Sequence, residues 1–162
     1  MNRLYEEGYY NIWGFDLAES GIKVAKTIFP ELNDRFIIHD SYNENLPDYF
    51  PKTFDIVISS EVIEHLFSPQ KYLSNINKWL KNGGYFIITT PYHGYFKNLS
   101  IALLNKNDAH QNVFWEGGHI KFFSKKTLYK MLIEAKLSPF YFQGVGRFYF
   151  FWKSMLILSE KL

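Results

Sequence analysis

The sequence contains no cysteine, which excludes disulfides and thiolate metal sites. It also lacks any apolar run of the roughly 18 residues that a membrane-spanning helix requires. Its 18 basic and 16 acidic side chains nearly cancel, so bulk charge favours neither a nucleic-acid nor a membrane partner. Residues 1–11 have no apolar core of the kind found in signal peptides. These absences predict a cytoplasmic protein.

The composition is that of a packed globule. The chain has 162 residues, of which 47% are hydrophobic and 20% aromatic. A chain of this length buries about two-thirds of its unfolded surface and can form a core of its own. We therefore expect one domain over residues 1–162.

Short apolar segments alternate with segments of helical periodicity. Strands are predicted at 9–15, 35–39, 54–59 and 85–90, and helices at 18–29 and 69–80. The strand segments 54–59 and 85–90 are apolar on both faces, which is typical of a parallel sheet covered by helices. Further on, the pattern indicates a helix at 99–104, an irregular segment at 105–118, a helix at 124–135, a strand at 140–145, and a strand or helix end at 155–158. The order predicts an open, doubly wound α/β domain.

Acidic residues follow the last apolar residue of several predicted strands. In doubly wound sheets this is where ligands bind. Asp16 suits the two hydroxyls of a ribose, but it also stands where a helix cap would. Asp40 suits an exocyclic amine, or else forms an ordinary turn.

A third group of polar residues follows the strand at 54–59. Glu61, Glu64 and His65 have helical spacing, so one helical turn after Ser60 would gather them on one side. An imidazole there can take a proton from a hydroxyl, and a flanking carboxylate would fix its tautomer. The alternative is a solvated turn at a helix start. His93 and His119 could line the same mouth or lie in ordinary loops.

Several stretches, taken in order, resemble a known family. They are GFDLAESGIKVAK, HDSYNENLP, FDIVISSEVIEHLFSPQKYLSNINKWLKNGGYFIITTP and GGHIKFFSKKTL. Together they are similar to class I S-adenosylmethionine-dependent methyltransferases, and in particular to the ubiquinone-pathway O-methyltransferases. The resemblance implies a mostly parallel Rossmann-like sheet of seven strands whose last strand, here 154–160, is antiparallel. It also implies S-adenosylmethionine as cofactor and a small-molecule methyl acceptor.

The resemblance implies roles for individual residues. Asp16 would bind the ribose of the cofactor and Asp40 its adenine amine, while Leu17 and Ser41 would pack on the adenine. Around the reacting atoms, His65 would act as base or orient the acceptor. The remaining residues implied are Ser60 and Glu61 on the methionine side, and Tyr92, His93 and His119 around the substrate.

The family's glycine-rich loop has no counterpart in this sequence. It should precede Asp16 by about twenty positions, which would place it before Met1. Upstream of Asp16 the chain offers only Gly8 and Gly14, neither of them in a glycine cluster. The fold is thus expected to be N-terminally shortened, with weak or absent binding of S-adenosylmethionine. Loss of an early strand would expose a sheet edge that a homodimer could cover.

Three alternatives stay open at this point. The domain could bind or assemble without catalysis, or it could be a dinucleotide oxidoreductase. It could also be a metal-assisted RNA 2′-O-methyltransferase, because Glu61, Glu64, His65 and a later histidine resemble the metal-binding set of such enzymes. The sequence has no basic stripe for a phosphate backbone, which favours a site without metal and a partner other than nucleic acid.

Overall fold

The computed structural model describes residues 2–110 and 114–162, which form two compact units, residues 1–52 and 53–162. The helices are α1 (Asn2–Glu6), α2 (Glu19–Ile28), α3 (Pro69–Trp79), α4 (Tyr95–Leu103), α5 (Asn107–His110) and α6 (Lys125–Glu134). The strands are β1 (Gly14–Asp16), β2 (Phe36–Ile38), β3 (Phe54–Ser60), β4 (Leu80–Pro91), β5 (Leu137–Val145) and β6 (Ser154–Lys161). Short 3-10 helices cover Pro30–Arg35 and Ile63–His65.

The first unit is built around two short parallel strands. β1 pairs with β2 in the register Gly14 with Phe36 and Asp16 with Ile38. The amphipathic helix α2 contributes Ile22 to a buried cluster with Leu32 and Phe36. This small core fixes β1 and β2 side by side, so their carboxyl ends open at the same edge.

The second unit contains a four-stranded sheet in the order β3-β4-β6-β5. β3 and β4 are parallel, whereas β6 runs antiparallel to both of its neighbours. Helices α3 and α6 pack on this sheet and contact each other. The fully buried side chains include Leu73, Ile76, Phe86, Ile88, Leu128, Leu132 and Ile157.

Most of the predicted elements are confirmed. Helices α2, α3 and α6 lie where periodicity placed them, and β6 is the antiparallel strand that the family resemblance implied. α6 begins with a capping box, in which the Ser124 hydroxyl accepts from the Thr127 N–H. These signals are local in sequence, which explains why they could be read without the fold.

Three predicted boundaries are wrong. The strand expected at 9–15 is only Gly14–Asp16, because Tyr9 and Tyr10 are more than half exposed and gain nothing from strand packing. The helix expected at 99–104 is instead α4, which starts at Tyr95. Residues 105–118 include α5, and positions 111–113 of that segment lie outside the described residues.

Strand β3 lies at an edge of the four-stranded sheet. Its apolar residues Ile56 and Ile58 are 49% and 53% exposed, which is unusual for a strand that is apolar on both faces. An open strand edge of this kind is a site for pairing with another chain. The homodimer expected from the sequence stays a prediction.

Among the described residues, none of the helices combines the length and apolar character needed to cross a bilayer.

Candidate active site

The end of β3 is held in an unusual backbone conformation. Glu61 has a φ of +51°, in the left-handed region that non-glycine residues seldom occupy. Its N–H donates to the Thr89 carbonyl on β4 at 3.1 Å, and the Thr89 hydroxyl donates to Ser60 Oγ at 3.3 Å. The prediction that Glu61 joins Glu64 and His65 in one helical turn is wrong, because the chain reverses at Glu61 and only Ile63–His65 is helical.

Glu64 is a buried carboxylate, with 1% of its surface exposed. Its Oε2 accepts a hydrogen bond of 2.9 Å from the Thr90 hydroxyl, whereas its Oε1 is buried without a hydrogen-bond partner. Burial raises the pKa of Glu64 despite the Thr90 hydrogen bond. An orphaned buried carboxylate oxygen normally marks a place where a proton or cation is shared.

His65 has a defined tautomer. Its Nδ1 lies 2.7 Å from the Gly117 carbonyl and 3.2 Å from that of Gly118. A carbonyl oxygen can only accept, so Nδ1 must carry the proton and the lone pair of the neutral ring is on Nε2. A flanking carboxylate was expected to set this tautomer, but backbone carbonyls 52 and 53 residues away do so.

The segment 117–123 crosses the 3-10 helix and positions a second imidazole. The N–H groups of Ile120 and Lys121 both donate to the Glu64 carbonyl, at 2.9 and 3.0 Å. His119 is thereby held with its ring 5.0 Å from that of His65, and Trp115 packs edge-on against both rings. Burial, and then the neighbouring His65, lower the pKa of His119, so the neutral ring is favoured.

Three side chains thus converge. Glu64, His65 and His119 each offer a ligand atom, and these atoms lie within 4.8 Å of one another. A carboxylate with two imidazoles is a donor set that suits Mn²⁺ or Zn²⁺ better than Mg²⁺. The carbonyl behind His65 Nδ1 is the outer-shell partner that metal-ligating histidines usually have. The donor chemistry fits a divalent metal as well as a proton-transfer group.

Tyr92 and His93 belong to a neighbouring environment. The Tyr92 ring packs edge-on against Trp152, and the His93 ring packs against Phe122 and lies 6.1 Å from that of His110. Burial and the nearby Lys97 lower the pKa of His93 to about 4. His93 is therefore a neutral, aromatic-lined residue at neutral pH.

The predicted cofactor residues Asp16 and Leu17 lie in the first unit. Asp16 Oδ1 accepts from the Ala18 N–H at 2.8 Å, an arrangement that orders the turn into α2 without capping its first turn. Beside Asp16, Gly21 leaves open space, since even a Cβ there would lie 3.8 Å from Oδ2. Leu17 is 69% exposed and offers a free apolar surface to a flat ring.

Asp40 and Ser41 follow the neighbouring strand. Asp40 Oδ1 accepts a hydrogen bond from the Tyr42 N–H at 2.8 Å. Asp40 comes just after β2, and Asp16 is the last residue of β1, the strand that runs parallel to β2. The two carboxylates therefore stand at one edge of the same small sheet. The role of Asp16 and Asp40 in binding the cofactor stays a prediction.

Several residues of the site escaped sequence reasoning. Thr89 and Thr90 anchor the turn and the buried carboxylate, while Gly117 fixes the tautomer of His65. The pair of threonines at the end of a buried apolar strand was a usable signal, because polar side chains there need partners. Gly117 gave none, since its role is a backbone contact across 52 residues.

The comparisons with known proteins bear on the fold and on the family. Solved structures share the fold at low sequence identity. One is a Haloferax volcanii methyltransferase solved with the Trm112 methyltransferase activator, at a TM-score of 0.74 and 15% identity over 99% of this chain and 75% of that one. Another is an S-adenosylmethionine-dependent methyltransferase from Clostridium acetobutylicum, at a TM-score of 0.70 and 16% identity over 98% of this chain and 78% of that one. The fold is that of the Rossmann-like methyltransferases.

The sequence comparisons show the family. The model of the methyltransferase domain family matches residues 1–138, and the chain belongs to the class I S-adenosylmethionine-dependent methyltransferases. It is 31% identical over 134 residues to a human mitochondrial ubiquinone biosynthesis O-methyltransferase, covering 79% of this chain and 36% of that protein. It is 35% identical over 81 residues to the Rickettsia akari enzyme of that name, covering 50% of this chain and 32% of that protein. The chain spans about a third of the length of these two relatives.

Proposed function

We propose that this chain carries the acceptor site of an O-methyltransferase that methylates a hydroxyl group of a small molecule. The supporting observation is the tautomer of His65, whose Nδ1–H is held by Gly117 and whose Nε2 is left as a proton acceptor. The O-methyltransferase relatives and the methyltransferase family support the reaction type.

S-adenosylmethionine, when bound, supplies an electrophilic methyl group. The chain's own contribution is to position the acceptor oxygen and to remove its proton. His65 Nε2 takes the hydroxyl proton, and the Gly117 carbonyl then stabilises the imidazolium through a strengthened hydrogen bond. Asp16 and Asp40 are proposed to bind the adenosine half of the cofactor, with Leu17 and Ser41 packing on its adenine.

The acceptor is proposed to be a ring-bearing molecule. Trp115, His119 and Phe122 present aromatic edges close to His65 and His93. Tyr92, His93 and His119 would then wall the substrate, as the family resemblance implied. Aromatic rings pack edge-to-face or offset against such walls.

The experiment is methyl transfer from S-adenosylmethionine to 3,4-dihydroxybenzoate by the protein and by His65→Ala. Loss of a general base lowers kcat by about 10²- to 10⁴-fold, while the affinity for S-adenosylhomocysteine should change less than about twofold because His65 is not placed on the cofactor. His110→Gln is the matched control, and it should keep the wild-type rate. An unchanged rate in His65→Ala would contradict the proposal. Cofactor binding without any transfer would favour a non-catalytic domain.

A metal-assisted form of the same transfer is the second candidate. Its support is the cluster of Glu64, His65 and His119, whose ligand atoms lie within 4.8 Å of one another, together with a Glu64 oxygen, Oε1, that has no hydrogen-bond partner. A divalent ion held there would lower the pKa of an acceptor hydroxyl and remove the need for a base.

Calorimetry with Mn²⁺ and Zn²⁺ separates the two candidates. Micromolar binding that is lost in both His65→Ala and His119→Ala supports the metal form. Glu61→Gln is the control, because Glu61 is not one of the three clustered residues. Binding that survives both histidine substitutions would place the ion elsewhere.

A further inference from the structure

Lys97 is a buried cation that the proposed mechanism does not use. Only 5% of its surface is exposed, although it lies on the short helix α4. Its Nζ donates to the Tyr92 carbonyl at 2.7 Å and to the Lys153 carbonyl at 3.4 Å. Among the residues that the structure describes, no carboxylate pairs with this ammonium group. Lysine is almost never buried without an opposite charge, so the environment of Lys97 requires an explanation.

A second cation, Arg147, lies close to Lys97. It belongs to the connection between β5 and β6, which also supplies the Lys153 carbonyl that accepts from Lys97. Burial, and then the charge of Arg147, lower the pKa of Lys97. The Arg147 side chain is exposed and forms no hydrogen bond or ion pair within the described part of the chain. We name Lys97 and Arg147 the cation pair. Two neighbouring positive charges repel each other, so this arrangement favours an anion beside them.

One acidic residue, Asp108, lies on α5, the short helix that packs against α4. Asp108 is exposed, and it is not one of the charges that shift the pKa of Lys97 or that of the nearby His93. Lys97, in contrast, adds to burial in lowering the pKa of His93. The positive charge of the cation pair is therefore felt at His93 without a compensating carboxylate from α5.

The cation pair lies beside the proposed acceptor site. Lys97 bonds to the carbonyl of Tyr92, which directly precedes His93. The His93 ring lies 4.8 Å from that of Phe122, on the same segment that places His119 5.0 Å from His65. An acceptor whose hydroxyl faces His65 thus has these aromatic side chains between its hydroxyl and the cation pair.

We propose that the cation pair binds a carboxylate group of the methyl acceptor and so selects acidic acceptors over neutral ones. This inference rests on the proposed function, because it names the class of molecule that the same site methylates. Arg147 offers a carboxylate two parallel N–H donors, a geometry that an ammonium group does not provide. Lys97 adds a buried charge, which salt screens less than an exposed one. Both residues determine specificity, and neither takes part in proton transfer.

The experiment is titration calorimetry of the protein with 3,4-dihydroxybenzoate and with 3,4-dihydroxybenzamide, in which a neutral amide replaces the carboxylate. We expect the benzoate to bind about tenfold more tightly at low ionic strength, and this preference to shrink in high salt. Arg147→Gln should weaken binding of the benzoate by about tenfold and change binding of the amide by less than about twofold. Equal affinity of the wild type for the two compounds would overturn the proposal. So would an Arg147→Gln variant that keeps the wild-type preference.

Lys153→Gln is the matched control. It also removes a positive charge from an exposed residue of the β5–β6 connection, but it keeps the backbone carbonyl that accepts from Lys97. It should keep the wild-type preference for the benzoate, and a loss equal to that of Arg147→Gln would replace the cation pair with a diffuse effect of charge. Lys97→Met tests the buried charge and should also lower the preference. Circular dichroism checks its folding, and Arg147→Gln decides the proposal if Lys97→Met does not fold.

Methyl transfer to the same two compounds separates the failure of this inference from the failure of the proposed function. Equal rates of transfer to both compounds, lost in His65→Ala, would retain the O-methyltransferase and overturn the selection of carboxylates. Binding that prefers the benzoate and depends on Arg147, without any methyl transfer, would retain the carboxylate site and contradict the proposed function.

Discussion

The two units hold their functional carboxylates in contrasting ways. In the first, Asp16 and Asp40 are exposed, and each accepts a hydrogen bond from a backbone N–H two residues further on. In the second, Glu64 is buried beside two imidazoles with one oxygen unpartnered. An exposed carboxylate keeps its hydration, so it costs little free energy and needs a ligand to complete its surroundings. A buried carboxylate has lost its hydration at a cost in free energy and is already held in position by the protein. The proposed acceptor side is thus preorganised, whereas the proposed cofactor side consists of exposed hydrogen-bond acceptors.

The largest expected effect concerns the proposed cofactor side. We expect the 162-residue polypeptide to bind S-adenosylhomocysteine about tenfold to a thousandfold more weakly than an enzyme with a glycine-rich loop. Two or three missing hydrogen bonds, at roughly 0.5–1.5 kcal/mol each, account for this loss. Titration calorimetry measures it. Low-micromolar binding of S-adenosylhomocysteine would show that another segment encloses the cofactor. The contrast between an exposed cofactor side and a buried Glu64 would then no longer hold.

Glu64→Gln tests the cost of the buried carboxylate. Because the folded-state pKa of Glu64 is raised, its stability contribution is present below the unfolded pKa and is lost as pH rises through the folded pKa. Removing the charge should therefore stabilise the protein at pH 7 by about 1 kcal/mol, with the gain vanishing near pH 4.5. Urea unfolding with EDTA present measures this.

Glu61→Gln is the matched control for Glu64→Gln, since Glu61 lies three residues earlier and is exposed. It should shift stability by less than about 0.5 kcal/mol. Equal effects of the two substitutions at pH 7 would mean that burial does not distinguish these carboxylates.

The lowered pKa of His93 predicts that the stability of the protein changes with pH in the direction opposite to that expected for Glu64. Its folded-state pKa is about 4, below the usual value of 6.5, so the unfolded chain binds the proton more readily between these values. Stability should fall as pH drops from 6.5 to 4, by about 1 kcal/mol because the ring is still partly exposed. His93→Gln should have a flatter stability profile than wild type in that window. If the wild type and His93→Gln have parallel profiles of stability against pH, His93 does not account for the pH dependence.

The smallest effect is expected in the first unit. Gly21 lies inside α2 with an ordinary helical φ, and a Cβ there makes only van der Waals contact at 3.8 Å. Gly21→Ala should stabilise the chain by about 0.5–1 kcal/mol through helix propensity. Thermal unfolding measures the gain. Destabilisation would reveal a crowded environment around Asp16, contrary to the open one described.

The sequence predicted what depends on neighbours along the chain. The helices predicted at 69–80 and 124–135 and the position of Asp16 and Asp40 after predicted strands all follow from local patterns. The strand-end rule gave the candidate site, which stays a prediction.

What could not be predicted depends on distant contacts. The left-handed conformation of Glu61 is imposed by hydrogen bonds to β4, and the tautomer of His65 is set by Gly117. The inward direction of Lys97 is set by the carbonyl of Lys153, which lies 56 residues away. Composition and periodicity carry no information on contacts between residues far apart in the sequence. The structure was therefore needed to find the tautomer of His65 and the conformation of Glu61.

The place of β6 in the sheet has a consequence for how the protein is made. β6 is the last strand in the chain, yet it lies between β4 and β5 and pairs with both. During synthesis, the edges of β4 and β5 that pair with β6 therefore stay unpaired until Lys161 has left the ribosome. Chains released early expose two aromatic-rich strands and are candidates for chaperone binding and degradation. The sheet therefore becomes complete only when the eight residues of β6 have been translated.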